Sequence, residues 1–375
     1  MKIRILLLAL TVAGCAAPPA GDPVAALRPY YRQLAAELPT LPPGPALDVA
    51  RPLTRIAFGS CSHQERSQAH WDAVAATAPQ LFVAIGDNVY GDVRSGNASM
   101  PELRAAYGNL SASAPFRALR AQTPMLATWD DHDYGFNDAG GDYLFREYAE
   151  RIFETYFGAS AAVKARPGIY DSVTVGPPGQ RVQFIMLDTR YFRSPLKSLP
   201  DTGEWKTLGR YLPNDDPSAT VLGEAQWRWL EAELRKPADL RVMVSSIQVI
   251  ATNHQFELWA NMPVERRRLM NLIDSTDARN LVIISGDRHL GALYAETTPG
   301  GRRLDELTAS ALNMNWAKPG HVDAEDEPVA NRVGGVFRQA NFGTLDIDWN
   351  RRTATLRLLD MDRRTLVERQ VGFGS

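Results

Sequence analysis

The chain has 375 residues, of which 45% are hydrophobic, and its 41 Lys and Arg against 43 Asp and Glu give a formal net charge of -2. This length and apolar content allow a full hydrophobic core in one large domain or two modest ones. The balanced charge excludes the strongly basic surface that binding to the phosphate backbone of nucleic acids requires.

The first residues follow the pattern of an export signal. A short basic region, the apolar run 5–12 and two small residues precede Cys15. The apolar run is too short to span a bilayer as a helix. The string VAGC at 12–15 resembles a bacterial lipoprotein signal, which implies a signal peptide over 1–14, lipid attachment at Cys15 and export to a membrane facing the periplasm or the cell exterior. The alternative is ordinary secretion with cleavage later in the Ala-rich stretch.

Residues 15–52 are rich in Ala and Pro. They predict a tether that is partly polyproline-like, with one short helix that Asp22 and Pro23 could begin. The folded body is expected over 53–375. Cys61 is the only cysteine in that body, so no intramolecular disulfide is expected in the processed chain.

The body opens with buried strands that alternate with helices. Apolar runs at 55–61, 81–85 and 125–128 predict three strands. Because these strands are apolar throughout rather than alternating, they indicate a largely parallel sheet that is covered on both faces. The predicted elements that follow are a helix at 144–156, a hairpin at 168–188, a helix at 223–234, a strand at 241–246, a helix at 264–273, and strands at 281–285, 302–308, 342–349, 353–359 and 365–371. The long loop 195–223 is typical of a segment that lines or covers a site.

Three predicted strands are each followed by an aspartate: Asp87, Asp131 and Asp287. The carboxyl ends of parallel strands lie at one edge of a sheet, so the three side chains are expected to converge. Convergent carboxylates repel each other, and a site that holds them together normally binds cations. A thiolate from Cys61 and a phenolate from Tyr90 would add ligands that suit iron. The alternatives are a buried structural Cys61 and aspartates that only cap helices.

The string WDDHDYGFND at 129–138 is the densest polar stretch, with four carboxylates around His132. Such a cluster suits a hard cation, and the neighbouring imidazole can accept or deliver a proton. A polar loop with capping aspartates is the alternative. His289 follows Asp287 by two residues, so both can face one site. Arg190 could clamp a phosphate or could equally pair with a buried carboxylate.

The remaining histidines carry weaker signals. His63, His70 and His321 are expected to have no chemical role. His254 is a candidate for substrate contact from a loop, in a setting that matches no known ligand position.

Five strings occur in order: FGSC at 58–61, GDNVYGD at 86–92, WDDHDYGFND at 129–138, LDTRYFR at 187–193 and SGDRH at 285–289. Together they resemble the PhoD-like alkaline phosphatases, a branch of the calcineurin-like metallophosphatases. The likeness runs from about residue 53 to the C-terminus. The founding members carry a further β-domain ahead of this body, whereas here only 15–52 occupies that place.

The resemblance implies a four-layer α/β/β/α sandwich of two mixed sheets flanked by helices. It also implies a binuclear or multinuclear centre of iron(III), Fe3+, with calcium, Ca2+. The residues implied at the iron are Cys61, Asp87, Tyr90 and Asp287. The residues implied at the second metal are Asp131 and His289, with Asp133, Asn137 and Asp138 as further oxygen ligands to calcium. His132 takes the position of the general acid.

The function expected from this resemblance is an exported, membrane-tethered phosphoesterase. A metal-activated hydroxide would attack phosphorus in a phosphodiester or a phosphomonoester, and His132 would protonate the leaving oxygen. No basic cluster is dedicated to a dianionic phosphate, which slightly favours diesters. The expected partners are a phosphate ester and a membrane reached through the lipid alone, with no nucleic acid.

Two other classes of protein compete with the phosphoesterase interpretation. A non-catalytic lipoprotein that binds a phosphorylated polymer or calcium is the alternative, and the complete set of ligand residues argues against it. A serine hydrolase is disfavoured because the sequence has no Gly-x-Ser-x-Gly elbow.

Overall fold

The computed structural model describes residues 22–200, 209–315 and 330–374. In these described residues, thirteen strands form two mixed sheets. The strands are β1 (Arg55–Gly59), β2 (Leu81–Ile85), β3 (Met125–Thr128), β4 (Asp171–Val175), β5 (Val182–Met186), β6 (Leu240–Ser245), β7 (Leu281–Ser285), β8 (Gly291–Thr297), β9 (Arg303–Ala309), β10 (Arg332–Phe337), β11 (Asn341–Asp348), β12 (Thr353–Asp360) and β13 (Thr365–Gly372).

The helices lie mostly between the strands of the first two thirds of the chain. They are α1 (Pro23–Ala26), α2 (Arg28–Gln33), α3 (His70–Ala75), α4 (Pro101–Ala112), α5 (Ala114–Arg120), α6 (Asp131–Tyr134), α7 (Arg146–Tyr156), α8 (Ala161–Lys164), α9 (Gly223–Leu234) and α10 (Pro263–Ser275). A single 3-10 turn covers Trp259–Asn261.

The first sheet has six strands in the order β13-β12-β11-β1-β2-β3. Within it β1, β2 and β3 are parallel, as their apolar sequences predict, and β11 continues the sheet antiparallel to β1. The second sheet has seven strands in the order β10-β8-β9-β7-β6-β5-β4, with β5, β6, β7 and β9 parallel. Both sheets therefore have a group of parallel strands whose carboxyl ends can carry a site.

Side-chain alternation along the strands creates four layers. In β2, Val83 and its alternate neighbours face the second sheet and pack with Val244 and Ile284. The intervening Phe82 packs outward with Trp71 and the helices on that side. On the far side Met243 packs with residues of α9 and α10. The chain thus has the α/β/β/α arrangement of two mixed sheets flanked by helices that was expected.

Two strands were not predicted from the sequence. β8 forms an antiparallel hairpin with β9, and β10 pairs with β8 at the sheet edge. Gly334 and Gly335 interrupt the apolar pattern of β10, and the pairing register shifts between Val333 and Val336. Glycine inside a strand often marks such a bulge, which hides the strand from a pattern-based prediction.

The described part of the Ala/Pro-rich segment is attached to the body. Asp22 caps α1 as predicted, through a hydrogen bond from the Val24 amide (3.0 Å). Tyr31 stacks on Tyr148 of α7 with ring centroids 4.7 Å apart. The prolines predict an extended spacer, but leucines at 34, 38 and 41 pack against the helix layer and hold residues 22–52 there.

Cys15 lies outside the described residues, as do the stretches 201–208 and 316–329. His321 falls in the second of these stretches. Among the helices that the structure describes, none has both the length and the apolar character needed to cross a membrane.

Candidate metal centre

The strand ends deliver potential metal ligands to one edge of the two sheets. Among the described residues, three of the four groups with ligand atoms within 4.8 Å of one another are formed by residues that closely follow strands. These groups are Cys61 with Asp87 and His289, Asp87 with Asp131 and His132, and Asp130 with Asp131 and Asp287. Asp87 belongs to two of the groups and Asp131 to two, so the ligands form one continuous cluster rather than separate sites.

Sharp turns at the strand ends aim these side chains. Cys61, Asp87, Asp287 and His289 all have positive φ, at 60°, 47°, 70° and 54°. Each non-glycine residue held there costs about 1–3 kcal/mol, and such residues concentrate at functional sites. Gly86 also has positive φ (94°), and a Cβ there would lie 2.9 Å from the Trp129 carbonyl carbon. Backbone strain at these four positions therefore accompanies the convergence of four potential metal ligands.

Tyr90 and Cys61 both contact Asp87. The Tyr90 hydroxyl donates a hydrogen bond to Asp87 Oδ2 (3.2 Å) and lies 2.9 Å from His289 Nε2. Cys61 Sγ lies 3.4 Å from the same carboxylate oxygen. Ser310 connects Cys61 with His289. Its hydroxyl lies 3.2 Å from Cys61 Sγ and accepts a hydrogen bond from the His289 main-chain amide (3.0 Å). A thiol, a phenol, an imidazole and a carboxylate thus meet at one point.

His132 sits in the first turn of α6, beside this cluster. Its Nδ1 lies 2.9 Å from Asp92 Oδ2, and its ring lies 4.2 Å from the ring of Tyr90. Burial alone would lower the pKa of His132, but the carboxylates of Asp131, Asp87 and Asp92 outweigh burial and raise that pKa well above its ordinary value. These carboxylates therefore favour the protonated form of the imidazole.

Asp133 and Asn137 do not join the cluster. Asp133 Oδ1 accepts hydrogen bonds from the amides of Asp130 (2.6 Å) and Asp87 (3.2 Å), and Oδ2 accepts from the Asn88 amide (3.1 Å). Its carboxylate therefore joins the loops after β2 and β3, as a capping aspartate does. The Asn137 side chain is exposed, and the Asn137 main-chain amide donates a hydrogen bond to Asp92 Oδ1 (2.9 Å). These positions do not support the assignment of either residue to calcium.

Asp138 does belong to a potential metal-binding group, with Asp131 and Glu257. Its amide donates to Asp131 Oδ2 (2.7 Å), so it also orients a member of the main cluster. Burial, together with the charges of Glu257 and Asp131, raises the pKa of Asp138 to about 8.

Arg190 is completely buried behind the carboxylates. Its Nε donates to Asp130 Oδ1 (2.6 Å), and its Nη1 pairs with Glu257 Oε2 (2.6 Å). Arg193 Nη2 pairs with the other oxygen of Glu257 (2.9 Å). Arg190 therefore pairs with buried carboxylates, which is one of its two expected roles. The buried position of Arg190 does not support the other role, a contact with bound phosphate.

Several residues of the site had little or no signal in the sequence. Asp130 lies inside the WDDHD string but was not assigned as a ligand. Burial raises the pKa of Asp130 to about 7, against the opposing charge of Arg190. Glu257 is an isolated glutamate in a loop without a motif. The partnership of Asp92 with His132 could have been sought because Asp92 closes the GDNVYGD string.

His254 has a structural position. It is fully buried, its Nε2 lies 2.8 Å from Gln248 Oε1, and its Nδ1 accepts a hydrogen bond from the Phe256 amide (3.1 Å). Both ring nitrogens are thus occupied inside the loop. The suggestion that His254 contacts substrate gains no support from this geometry.

The donor set fits bound cations. Asp130 Oδ2 and Asp131 Oδ1 are buried and accept no hydrogen bond from the described residues. Burial, followed by the charge of a neighbouring carboxylate, raises the pKa of both Asp87 and Asp287 well above the ordinary value. A cation would satisfy these oxygens and favour their ionised forms. The group with sulfur and nitrogen donors and the adjoining carboxylate group suit metals of different softness.

Comparisons with known proteins agree with the strings noted in the sequence. The family model of the PhoD-like phosphatases matches residues 56–358. Alkaline phosphatase D of Bacillus subtilis (strain 168) is 25% identical over 295 residues, covering 66% of this chain and 47% of that protein. The chain therefore spans about half the length of this curated relative.

Two solved structures share the fold. The structure of PhoD superposes with a TM-score of 0.65 at 17% identity, covering 88% of this chain and 74% of that one. The purple acid phosphatase PPD1 from yellow lupin seeds has a TM-score of 0.54 at 11% identity, covering 87% of this chain and 55% of that one. These likenesses establish the layered architecture, and the family model adds the assignment by sequence: the chain belongs to the PhoD-like phosphatase family.

Proposed function

We propose that the chain is a metal-dependent phosphoesterase. The observation that carries this proposal is the convergence of Cys61, Asp87, Asp131, Asp287 and His289 at one edge of the sheets, with a proton donor beside them. Membership of the PhoD-like phosphatase family supports the same reaction class.

The cluster divides into two regions with different chemistry. Cys61, Tyr90 and His289 gather around Asp87, where a softer or redox-active ion such as iron(III) would be held. Asp130, Asp131 and Asp287 offer only oxygen, which suits a hard ion such as calcium. Two bound ions would polarise the phosphoryl oxygens and supply a water-derived nucleophile at neutral or alkaline pH.

The chain's own residues would orient the ester and manage its protons. Asp87 lies between the two regions and would fix their separation. His132, held by Asp92, would donate a proton to the departing ester oxygen, because its imidazolium form is favoured by the surrounding carboxylates. Arg190 pairs with Asp130 and Glu257 and so joins the loops after β3, β5 and β6 behind the site, which would keep their geometry fixed before substrate arrives.

The substrate would be a phosphodiester or a phosphomonoester, with a slight preference for diesters. A dianionic monoester would benefit from a group of cationic side chains beside the metals. Arg190 of the LDTRYFR string is completely buried and pairs with a carboxylate, which does not support a contact with a terminal phosphate.

The N-terminal region would export the enzyme and anchor it to a membrane. The VAGC string at 12–15 supports lipid attachment at Cys15. Mass spectrometry of the membrane fraction from producing cells tests this part separately: a diacylated N-terminal Cys15 is expected, and an unmodified later N-terminus would contradict it.

Hydrolysis assays on a matched pair of aryl esters, one monoester and one diester, test the proposed reaction. Purified protein of known metal content is assayed at alkaline pH with calcium and with chelator. Turnover that calcium supports and chelator removes is expected, and the ratio of the two rates assigns the substrate class. No turnover of either ester by metal-loaded protein would contradict the proposal and favour a non-catalytic binding protein.

A further inference from the structure

His63 lies at the rim of the cluster, directly against one of its ligands. Its ring stacks on the ring of Tyr90, with centroids 5.0 Å apart and planes 13° from parallel. The Tyr90 hydroxyl in turn contacts Asp87 and His289. His63 is therefore separated from the metal-ligating groups by a single aromatic ring, although its position in the sequence suggests no role.

The main chain of His63 is fixed by side chains from distant parts of the molecule. The His63 amide donates to Asn313 Oδ1 (2.7 Å), and Asn313 Nδ2 donates back to the His63 carbonyl (3.0 Å). Gln68 Nε2 donates to the same carbonyl (2.9 Å). A loop held on both its donor and its acceptor positions the imidazole before any ligand binds, which reduces the entropy lost on binding.

The ring itself is fixed in one tautomer. The Glu65 amide donates to His63 Nδ1 (3.2 Å), so this nitrogen is an acceptor and the neutral ring carries its hydrogen on Nε2. No described residue accepts a hydrogen bond from Nε2, and the residue is only partly buried. The structure thus presents an oriented N–H donor on the partly exposed ring that stacks on Tyr90 beside the candidate metal centre.

A cationic side chain lies beside this donor. Arg66 is exposed, and its Nη1 donates to the Asn313 carbonyl (3.1 Å). The same asparagine therefore positions both His63 and Arg66. Oriented donors at the rim of a site that attracts phosphate esters would meet the oxygens of the ester that the metals do not reach.

We infer that His63 is a substrate-contacting residue whose Nε2–H donates to an oxygen of the phosphate ester bound at the cluster. The inference rests on the proposed phosphoesterase function and extends it to recognition of the substrate. The contact is made by a neutral donor fixed in the free protein, so it strengthens binding of the ground state and of the transition state alike. Its loss should therefore raise KM and leave kcat nearly unchanged.

The test compares two variants of the metal-loaded full chain. His63→Phe keeps an aromatic ring to stack on Tyr90 but has no donor, whereas His63→Gln keeps an N–H donor. A hydrogen bond to a charged group accounts for about 10- to 100-fold in affinity. We expect His63→Phe to raise KM by about that factor with unchanged metal content and melting temperature, and His63→Gln to recover part of the loss.

Binding of inorganic phosphate by calorimetry gives a readout that needs no turnover. Weaker phosphate binding by His63→Phe, with wild-type metal content, supports the inference even if the wild-type protein hydrolyses neither ester, so this result separates the inference from the proposed reaction. Equal phosphate affinity and equal KM in His63→Phe and wild type would overturn it. So would a wild-type protein, metal-loaded, that binds no phosphate at all.

Discussion

The Nδ1 atom of His132 lies 2.9 Å from a carboxylate oxygen of Asp92, and the two side chains are only 15% and 10% exposed. The other oxygen of Asp92 accepts the Asn137 amide (2.9 Å), so the carboxylate is itself held in place. This arrangement fixes the plane of the imidazole, and in the proposed reaction Nε2 is the nitrogen that would act on the ester.

Removing the imidazole should slow the reaction without emptying the site. His132→Ala is expected to lower kcat by about 10²- to 10⁴-fold, the usual contribution of a positioned acid. The loss should be greatest for esters with poor leaving groups, since those need protonation most. Kinetics across a series of aryl esters measures this dependence. A loss of equal size for good and poor leaving groups would show that His132 is not the general acid.

Asp92→Asn tests the orientation of His132. The amide keeps the shape of the carboxylate but removes its charge, so the imidazolium is less stabilised and less well oriented. We expect kcat to fall by about 10- to 100-fold, as for other residues that orient a functional group from behind. Metal content, measured by elemental analysis, should stay at the wild-type value. Wild-type kcat in this variant would contradict the role given to the pair.

Glu257 is expected to be important for stability because it is buried between Arg190 and Arg193. Glu257→Ala leaves two buried guanidinium groups without this partner and should lower the free energy of unfolding by about 3–5 kcal/mol. Glu231→Ala is a matched control, since Glu231 pairs with Arg235 on the surface, where both side chains are about half exposed (49% and 54%). The control should change stability by less than about 0.5 kcal/mol. Similar urea midpoints for the two variants would show that the buried pair contributes little.

The burial of His70 should make the free energy of unfolding depend on pH. Burial lowers the pKa of His70 to about 3, and its Nε2 lies 3.1 Å from the Ser62 hydroxyl. In the unfolded chain the His70 imidazole becomes protonated near pH 6.5, whereas in the folded chain it stays neutral down to about pH 3. The contribution to stability is therefore complete above about pH 6.5 and falls by about 1.4 kcal/mol per pH unit as the pH drops toward 3.

His70→Gln removes this titrating group and keeps a polar side chain for Ser62. Between pH 7 and pH 5 the wild type should lose about 2 kcal/mol more stability than the variant, because about 1.5 pH units of that range lie below the unfolded pKa. Urea unfolding at the two pH values measures the difference. Equal losses in the two proteins would mean that His70 is protonated in the folded state.

The sequence predicted the parts of the structure that depend on local pattern. Apolar runs that end in Gly-Asp placed Asp87 and Asp287 at strand ends, Asp87 after β2 of the first sheet and Asp287 after β7 of the second. The expectation that one sheet edge brings them together was wrong, because it is the packing of the two sheets that places both beside Asp131. The contribution of Glu257 could not be predicted in this way. It lies in a loop after β6, and only the folded chain brings it to Arg190.

Side-chain direction was a second limit on prediction. Asp133 and Asn137 share a string with Asp131, yet α6 directs the side chains of Asp131 and Asp133 differently and Asn137 lies in the turn that follows α6. Asp133 accepts backbone amides, Asn137 is exposed, and Asp131 enters the cluster. A polar string identifies the region of a site, but the local backbone decides which of its members are ligands.

The proposed function requires that the cluster around Asp87 and Asp287 holds the metals needed for hydrolysis. Its most direct test measures metal content and ester hydrolysis together in wild type, Asp87→Ala and Asp287→Ala. We expect each variant to fold, to lose bound metal and to lose turnover with it. Full turnover in either variant, or full loss of turnover with all metals retained in both, would contradict the assignment of these carboxylates as metal ligands.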